Sequence, residues 1–481
     1  MGDDYQRYYD FSAALDDMWE VLPSESWSFE MSPGCARFKN RGPGKAEVYL
    51  RPCTLPGDTV EIRLTPGTAR RGLFTFGYLT GFEYLRVELD LATGALAVRT
   101  HEFHKAQPRL RATVGIDFDV IQLIREADAL PGVGYAGSRL EVWLDDERAA
   151  VVGEIDYLPE SHCMFGLDGA GEVSIASWSI SGAARPRPEY VHVGAWQKGN
   201  YGTIDENVDS LIAGVRAAAE AGVELLATPE TSLTGLRPDD ADCDDRELIQ
   251  TGLARFRREI ARMKDAPFML LGFPEWIAGD AVDGATLDRV KVNEHRWVRP
   301  DGEMGPAMAK VHSCEEGMWH GRHYNVQRVA GVETALGVCH DGHYADVWAT
   351  GVMAGARLCV HASAGGSGPP KDGGSIPEIV GSLENQGSQF DAYWLAVNTY
   401  CPGCVFYPMS NAKVPQTLLA VTDSLSQRSP TYPTYSYLGD ELAHARIRLY
   451  DANGCYPMRT LRSGRAGYEN WSRLVPDVVD V

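Results

Sequence analysis

Two different hydrophobic periods divide the chain. Up to residue 183 apolar residues alternate with polar ones, as at Val60, Ile62 and Leu64, and again at Leu85, Val87, Leu89 and Leu91. The turn at Ala92, Thr93 and Gly94 leads into Leu96 and Val98, and the alternation returns at Leu140, Val142 and Leu144 and across residues 172–180. A period of two belongs to half-buried strands, and short strands joined by Gly and Asp turns predict two packed antiparallel sheets. Residues 118–129 break the pattern with helical spacing and predict one short helix.

Residues 184–189 are Pro-rich and read as a linker, after which the pattern changes. A strand at 190–196 precedes a helix with Val208, Leu211, Ile212, Val215 and Ala219 on one face, closed by Gly222 and capped at its start by Thr203 or Asp205. A buried strand at 223–227, a helix at 246–263 and a strand at 268–273 follow, then polar strands near 290–298 and a hairpin turn at 299–303. An apolar run at 332–338 leads to helical spacing at 344–356, a strand at 358–361, a Gly-rich loop at 365–374, a helix ending near Phe390, and strands at 393–398 and 443–450. Strands alternating with helices predict a layered α/β domain over 190–481, with sites gathered at the carboxyl ends of strands.

Composition narrows the functional classes. A chain of 481 residues exceeds one ordinary core and implies two or three domains. The formal charge of -21, from 66 acidic against 45 basic residues, argues against nucleic acid or an anionic membrane as partner and suits a small neutral or cationic substrate. The amino terminus lacks a secretory pattern, no apolar run is long enough to span a bilayer, and Gln6 and Arg7 stand where a myristoylation motif needs Ser or Thr. A cytoplasmic location is expected, with the ten Cys as reduced thiols. Cys401 and Cys404 form an isolated Cys-x-x-Cys pair with no partner pair, and read as incidental thiols of a loop.

Three strand ends carry candidate chemistry. Cys339 follows the apolar run at 332–338 and falls on the turn before a helix, where free backbone N–H groups are expected to lower its pKa and to hold an oxyanion. Taken alone it reads as a buried structural thiol. Glu230 lies just past the strand at 223–227, and Lys310 follows Pro306, Ala307, Met308 and Ala309. Singly, these two read as a cap or ion-pair partner and as a surface charge.

Together, in the order Glu230, Lys310, Cys339, the chain resembles the nitrilase superfamily of carbon–nitrogen hydrolases over roughly residues 191–459. Further matching positions are Val193, Gly194, Ala195, Trp196 and Gln197 with Asn207, then Thr228 and Pro229 before Glu230, Gly272 to Glu275, and Gly355 with Ala356. Cys339, His340, Asp341, Gly342, His343 and Tyr344, followed by Trp348, are similar to the aliphatic amidase and formamidase branch, with His340 in place of an Asp and His343 in place of an Asn. The resemblance implies a four-layer α-β-β-α sandwich and, commonly, a homodimer or higher homo-oligomer. It further implies Glu230 as general base, Lys310 and the His340 N–H as oxyanion donors, Cys339 as nucleophile, and Glu316, five residues before Gly321, as a second glutamate beside Glu315. His340, His343 and Tyr344 are the expected acyl-pocket residues, with His343, His361 or Tyr344 lining that pocket or orienting Asp341. This chemistry needs no cofactor.

The expected reaction is hydrolysis of a linear amide through a thioester. The alternatives are an N-carbamoyl-type hydrolase of the same superfamily and a non-catalytic carbohydrate-binding protein. The last arises because residues 1–183 resemble laminin-G or concanavalin-like jelly rolls through their terminal Ile175 to Gly182. Trp19, Trp27 and Trp143 are candidates there for stacking on a sugar, or for the core, and the first reading of this region is a sandwich that only packs against its neighbour or mediates assembly. A metal reading rests on His340, Asp341 and His343 with His312, His320 and His323 upstream. A turn and a helix start present these groups from different directions, so no metal is expected.

Overall fold

Val60, Ile62 and Leu64 alternate with more exposed neighbours along their strand, and the described strands of the amino-terminal region pair antiparallel. The computed structural model describes residues 5–9, 19–20, 27–54, 59–80, 83–93, 95–101, 109–115, 120–130, 135–144, 147–155, 161–182, 188–199, 201–235, 244–279, 287–315, 317–321, 325–364, 392–399, 403–406, 418–422, 440–449 and 478–481. The chain divides into two units, Met1–Pro186 and Arg187–Val481.

In the first unit one sheet runs Glu147–Ile155, Tyr135–Leu144, Val120–Leu130, Thr59–Pro66, Gly171–Gly182, Cys35–Asn40, Trp27–Ser32, with Tyr5–Tyr9 also paired to Gly171–Gly182. The other runs Arg109–Gly115, Ala95–His101, Glu83–Asp90, Arg71–Thr80, Ser161–Asp168, Lys45–Thr54, Trp19–Glu20. Val60, Ile62 and Leu64 of the first sheet and Val87, Leu89, Leu96 and Val98 of the second are buried, and the Phe38 and Phe165 rings meet across the sheets at 5.8 Å. Each such side chain contributes about 1.5–3 kcal/mol by leaving water. Trp27 is buried with its ring 5.5 Å from that of Phe38, so it belongs to the core and is no platform for a sugar. The side chains of Trp19 and Trp143 lie outside the described residues.

The helix expected at 118–129 is not formed. Val120–Leu130 is a strand, paired on one side with Tyr135–Leu144 and on the other with Thr59–Pro66. Val120, Ile121, Leu123 and Ile124 have helical spacing, but three of the four are β-branched, and two ladders of long-range hydrogen bonds outweigh a local preference.

In the second unit, fully buried runs of apolar residues form the middle of two mixed sheets. Tyr190–Gln197, Leu225–Ala227 and Phe268–Ala278 are parallel neighbours in one sheet, which Arg289–Val298 and Glu441–Arg448 extend with antiparallel pairing. Val332–Val338, Leu358–Ser363 and Tyr393–Asn398 are parallel neighbours in the other. Parallel strands are covered on both faces, which is why these segments read as continuous apolar runs. Val193, Leu225 and Leu270 of one sheet share a core with Leu336, Val360 and Leu395 of the other.

Helices cover the outer faces. Val208, Leu211 and Val215 of Ile204–Ala221 and Leu253 and Phe256 of Arg246–Ile260 pack with Leu226 and Leu271 of the first sheet. Val347, Trp348 and Val352 of Ala345–Met353 pack with Cys359 and Trp394 of the second. Thr203 caps the first helix by accepting from the Glu206 N–H at 3.2 Å, and Gly222 ends it in the left-handed region at φ 72°. The Gly-rich loop at 365–374 and the helix expected before Phe390 fall outside the described residues. Among the described residues no helix is long and apolar enough to cross a membrane.

Candidate active site

Parallel strands end on one side of their sheet, and three ends converge here. Ala227 closes the strand before Glu230, Val338 the strand before Cys339, and Ser363 the strand before Ala364. Lys310 follows the short strand Met308–Ala309, with its N–H held by the Asn293 carbonyl at 2.9 Å. Glu230 and Lys310 are fully buried.

The Lys310 ammonium donates to Glu230 Oε1 at 2.9 Å and also to Glu315 Oε1. Asn293 Nδ2 donates to the same Glu230 oxygen at 2.7 Å, while the Ala364 N–H donates to Oε2 at 3.0 Å. Glu230 is therefore fixed by groups from both sheets. The Cys339 sulfur lies within 4.8 Å of carboxylate oxygens of both Glu230 and Glu315.

Glu230, Lys310 and Cys339 thus come together, whereas Glu316 lies outside the described residues. Of the two adjacent loop glutamates Glu315 is the described one, and its carboxylate reaches Lys310 as Glu230 does. The resemblance favours Glu316 by its spacing to Gly321 over the adjacent Glu315, but an irregular loop has no periodicity to set which side chain turns inward. Asn293 went unnoticed for a related reason: it is one polar residue of a polar strand, and only the fold aims it at Glu230.

Cys339 has φ 47°, in the left-handed region where a side chain with a Cβ is strained, and Thr231, next to Glu230, has the same φ. Strain of this kind costs about 1–3 kcal/mol and persists where surroundings enforce it. Two clamps hold the Cys339 turn. The buried ring of His361 bonds the Cys339 carbonyl through Nε2 at 2.9 Å, and the Asp341 carboxylate accepts the Val338 N–H at 3.0 Å. Residue 342 must be Gly because a Cβ there would stand 2.6 Å from His361 Nε2. The hydrogen-bond partner of His361 is the backbone of the nucleophile's own residue.

The electrostatics reverse one expectation. Burial, reinforced by the charge on Glu230, pushes the Cys339 thiol up to about 12 despite Lys310 nearby. The helix that was to lower it begins only at Ala345, beyond the 3₁₀ turn Cys339–His343. Burial also raises Glu230 above its ordinary 4.5, which Lys310 offsets only in part. Burial works against the charge on Lys310 too, but Glu230, Cys339 and Glu315 outweigh it and hold the ammonium above the ordinary lysine value. For Glu315 the balance falls the other way, since burial is outweighed by Lys310 and the carboxyl stays below its ordinary range. The arrangement is a neutral thiol beside a carboxylate base and a fixed cation.

His340, His343 and Tyr344 form a cluster on the exposed side of the turn. Tyr344 Oη lies 3.1 Å from His340 Nε2, the His343 ring is edge-on to His340 at 5.4 Å, and His312 stacks on Tyr344 at 3.9 Å. Among the described residues, Glu230, Glu315 and Cys339 form the one group of three potential ligands close enough to share an ion, and the Lys310 ammonium already bonds both carboxylates. Cys404 is buried in the strand Cys404–Phe406, while Cys401 lies outside the described residues.

Burial depresses His361 to about 4 from 6.5. An unfolded imidazole takes up a proton on acidification before the folded one does, so this histidine contributes stability above 6.5 that is lost as pH falls toward about 4. His361→Gln keeps a side-chain donor for the Cys339 carbonyl and removes the titration. Across that window the wild type should lose stability relative to the variant by up to about 1.4 kcal/mol per pH unit. Urea unfolding over a pH series measures the difference; a difference that does not change with pH would refute the assignment.

Neither a family model nor a curated protein sequence matches this chain. Several solved structures are similar to it. A double mutant of the amidase from Nesterenkonia sp. AN1 in complex with acrylamide is 16% identical, covers 59% of this chain and 99% of its own, and gives a TM-score of 0.43. Another mutant of that amidase, showing covalent addition of the acetamide moiety of fluoroacetamide at the active site cysteine, is 15% identical over 59% of this chain and 98% of its own, with a TM-score of 0.43. A third, described as from the nitrilase superfamily, is 15% identical over 58% of this chain and 98% of its own, with a TM-score of 0.41.

Proposed function

We propose that Arg187–Val481 is a thiol amidohydrolase of the nitrilase type, built as an α-β-β-α sandwich, that cleaves the C–N bond of a linear amide. One observation carries the reading: a fully buried Lys310 ammonium bonded to Glu230, with the Cys339 sulfur within 4.8 Å of that same carboxylate. A buried charged pair of this kind is costly to build, and a hydrophobic substitute would serve stability as well or better. A neighbouring thiol on a strained turn gives it a chemical purpose.

In this reading Cys339 attacks the amide carbonyl as Glu230 takes the thiol proton. A thiol pushed up to about 12 is protonated at rest, so general-base assistance replaces a standing thiolate. The carbonyl oxygen becomes an oxyanion beside Lys310 and the His340 N–H; one such donor is worth about 3 kcal/mol in the transition state. Glu230 passes its proton to the departing nitrogen, which leaves as ammonia or amine, and the acyl group remains on Cys339 as a thioester. Water, deprotonated by Glu230, attacks the thioester and releases the carboxylate with the restored thiol. Glu315, bonded to Lys310, keeps that ammonium aimed and negatively compensated. His340, His343 and Tyr344 border the acyl side of the site.

The test is ammonia release from a panel of short aliphatic amides, N-carbamoyl amines included. Release that follows saturation kinetics is expected, and its absence across the whole panel would sink the reading. Because Glu230 acts as a base with a raised pKa, the acid limb of kcat/KM should lie above the ordinary glutamate value of 4.5. A limb at or below that value would remove Glu230 from the role.

A further inference from the structure

Asp341 is fully buried, two residues beyond the nucleophile, and none of the steps above uses it. Its carboxylate is saturated by backbone donors from two distant segments. Oδ2 accepts the Val338 N–H at 3.0 Å and the Val311 N–H at 3.2 Å, and Oδ1 accepts the His312 N–H at 2.6 Å. Val338 is the last residue of the strand that delivers Cys339, whereas Val311 and His312 directly follow Lys310. One buried carboxyl group therefore ties the lysine segment to the cysteine turn.

We propose that Asp341 is a positioning residue that fixes the distance and angle between the Lys310 ammonium and the Cys339 sulfur; the inference rests on the thiol-hydrolase reading. The chemistry of the three contacts supports it. Three backbone N–H donors on its two oxygens leave the Asp341 side chain no freedom to rotate. Lys310 needs this tie because its own segment is otherwise irregular: the strand before it spans only Met308–Ala309. A misplacement of about 1 Å between reacting groups costs about 100-fold in rate.

Asp341→Asn is the direct test, since the amide has the same shape but must turn its NH₂ toward at least one backbone N–H. Asp341→Ser is the companion, with room for water to satisfy the released amides. The readouts are circular dichroism, kcat and KM for the best amide, and the rate of Cys339 alkylation by iodoacetamide. The proposal predicts a folded Asn or Ser variant in which kcat falls about 100-fold, KM stays within about threefold, and alkylation slows about tenfold as the thiol loses its aligned base. A folded variant with kcat and alkylation within about threefold of wild type overturns it. So does failure of both variants to fold, which would assign Asp341 to the stability of the whole unit. The alkylation arm does not depend on turnover. A wild-type chain that hydrolyses no amide defeats the amidase reading, while Asp341 is still judged by alkylation.

Discussion

Cys339→Ala is expected to abolish ammonia release from every amide the wild type hydrolyses, a loss of at least about 10⁴-fold, with the fold intact. No neighbouring group substitutes for the sulfur. Glu230 is engaged by Lys310, Asn293 and Ala364 and is held as a base, not freed as a nucleophile. A mechanism that runs through one covalent bond loses nearly everything with its nucleophile. Alanine has the same Cβ at φ 47° and so neither relieves nor adds backbone strain. Only a partly buried sulfur is lost, and stability should change by about 1 kcal/mol or less. Activity and thermal midpoint measured on one preparation separate the two effects, and a variant retaining a tenth of wild-type turnover would refute the nucleophile assignment.

Glu230→Gln is the second large effect, and it should damage both rate and stability. The rate falls because the thiol is protonated at rest and its base is gone; general-base assistance is worth about 10²–10⁴-fold, and one glutamate acting in both halves of the reaction places the loss at the upper end. Stability falls because an isosteric amide cannot serve all three partners. If its oxygen keeps Lys310 and Asn293, its NH₂ faces the Ala364 N–H, which donates to Oε2 in the wild type. Breaking a buried ion pair costs about 3–5 kcal/mol when the surviving charge is left alone. Here Lys310 keeps Glu315, so about 3 kcal/mol is expected. Chemical denaturation combined with kcat distinguishes this from a purely structural glutamate, which would lower stability and leave turnover of the folded fraction untouched.

The parts of the site that were legible in the sequence are those tied to periodic elements. Glu230 and Cys339 each follow a fully buried strand, and an apolar run that stops at a charged or nucleophilic residue marks such an end without a structure. Lys310 was visible by its place between them. Contacts made by irregular segments were not legible. Glu315 and Glu316 differ by one position in a loop, and the side chain that turns inward depends on a backbone path that no pattern encodes. Asp341 stood out only as a member of the motif after Cys339 and as a metal candidate, and its three amide partners come from segments about 30 residues apart in sequence.

The pKa of Cys339 was misjudged for the same reason. Local reasoning placed it near a helix amino end, whereas its value is set by burial and by Glu230, more than 100 residues earlier in the chain. In the amino-terminal unit the failure was of another kind. Residues 118–129 carried apolar residues at helical intervals, yet strands on either side claimed the backbone, and two-sided pairing of that sort cannot be read from one segment alone. Trp27 likewise gave no sign of which way it faced until Phe38 was seen against it.

The thioester is the species on which everything proposed for this site depends. Rapid quenching of wild-type protein mixed with a hydrolysed amide, followed by peptide mass spectrometry, should find the acyl group on the Cys339 peptide, removable by neutral hydroxylamine and more abundant in Glu230→Gln if deacylation is the slower half. An acyl adduct on another residue, or undiminished ammonia release from Cys339→Ala, would contradict it.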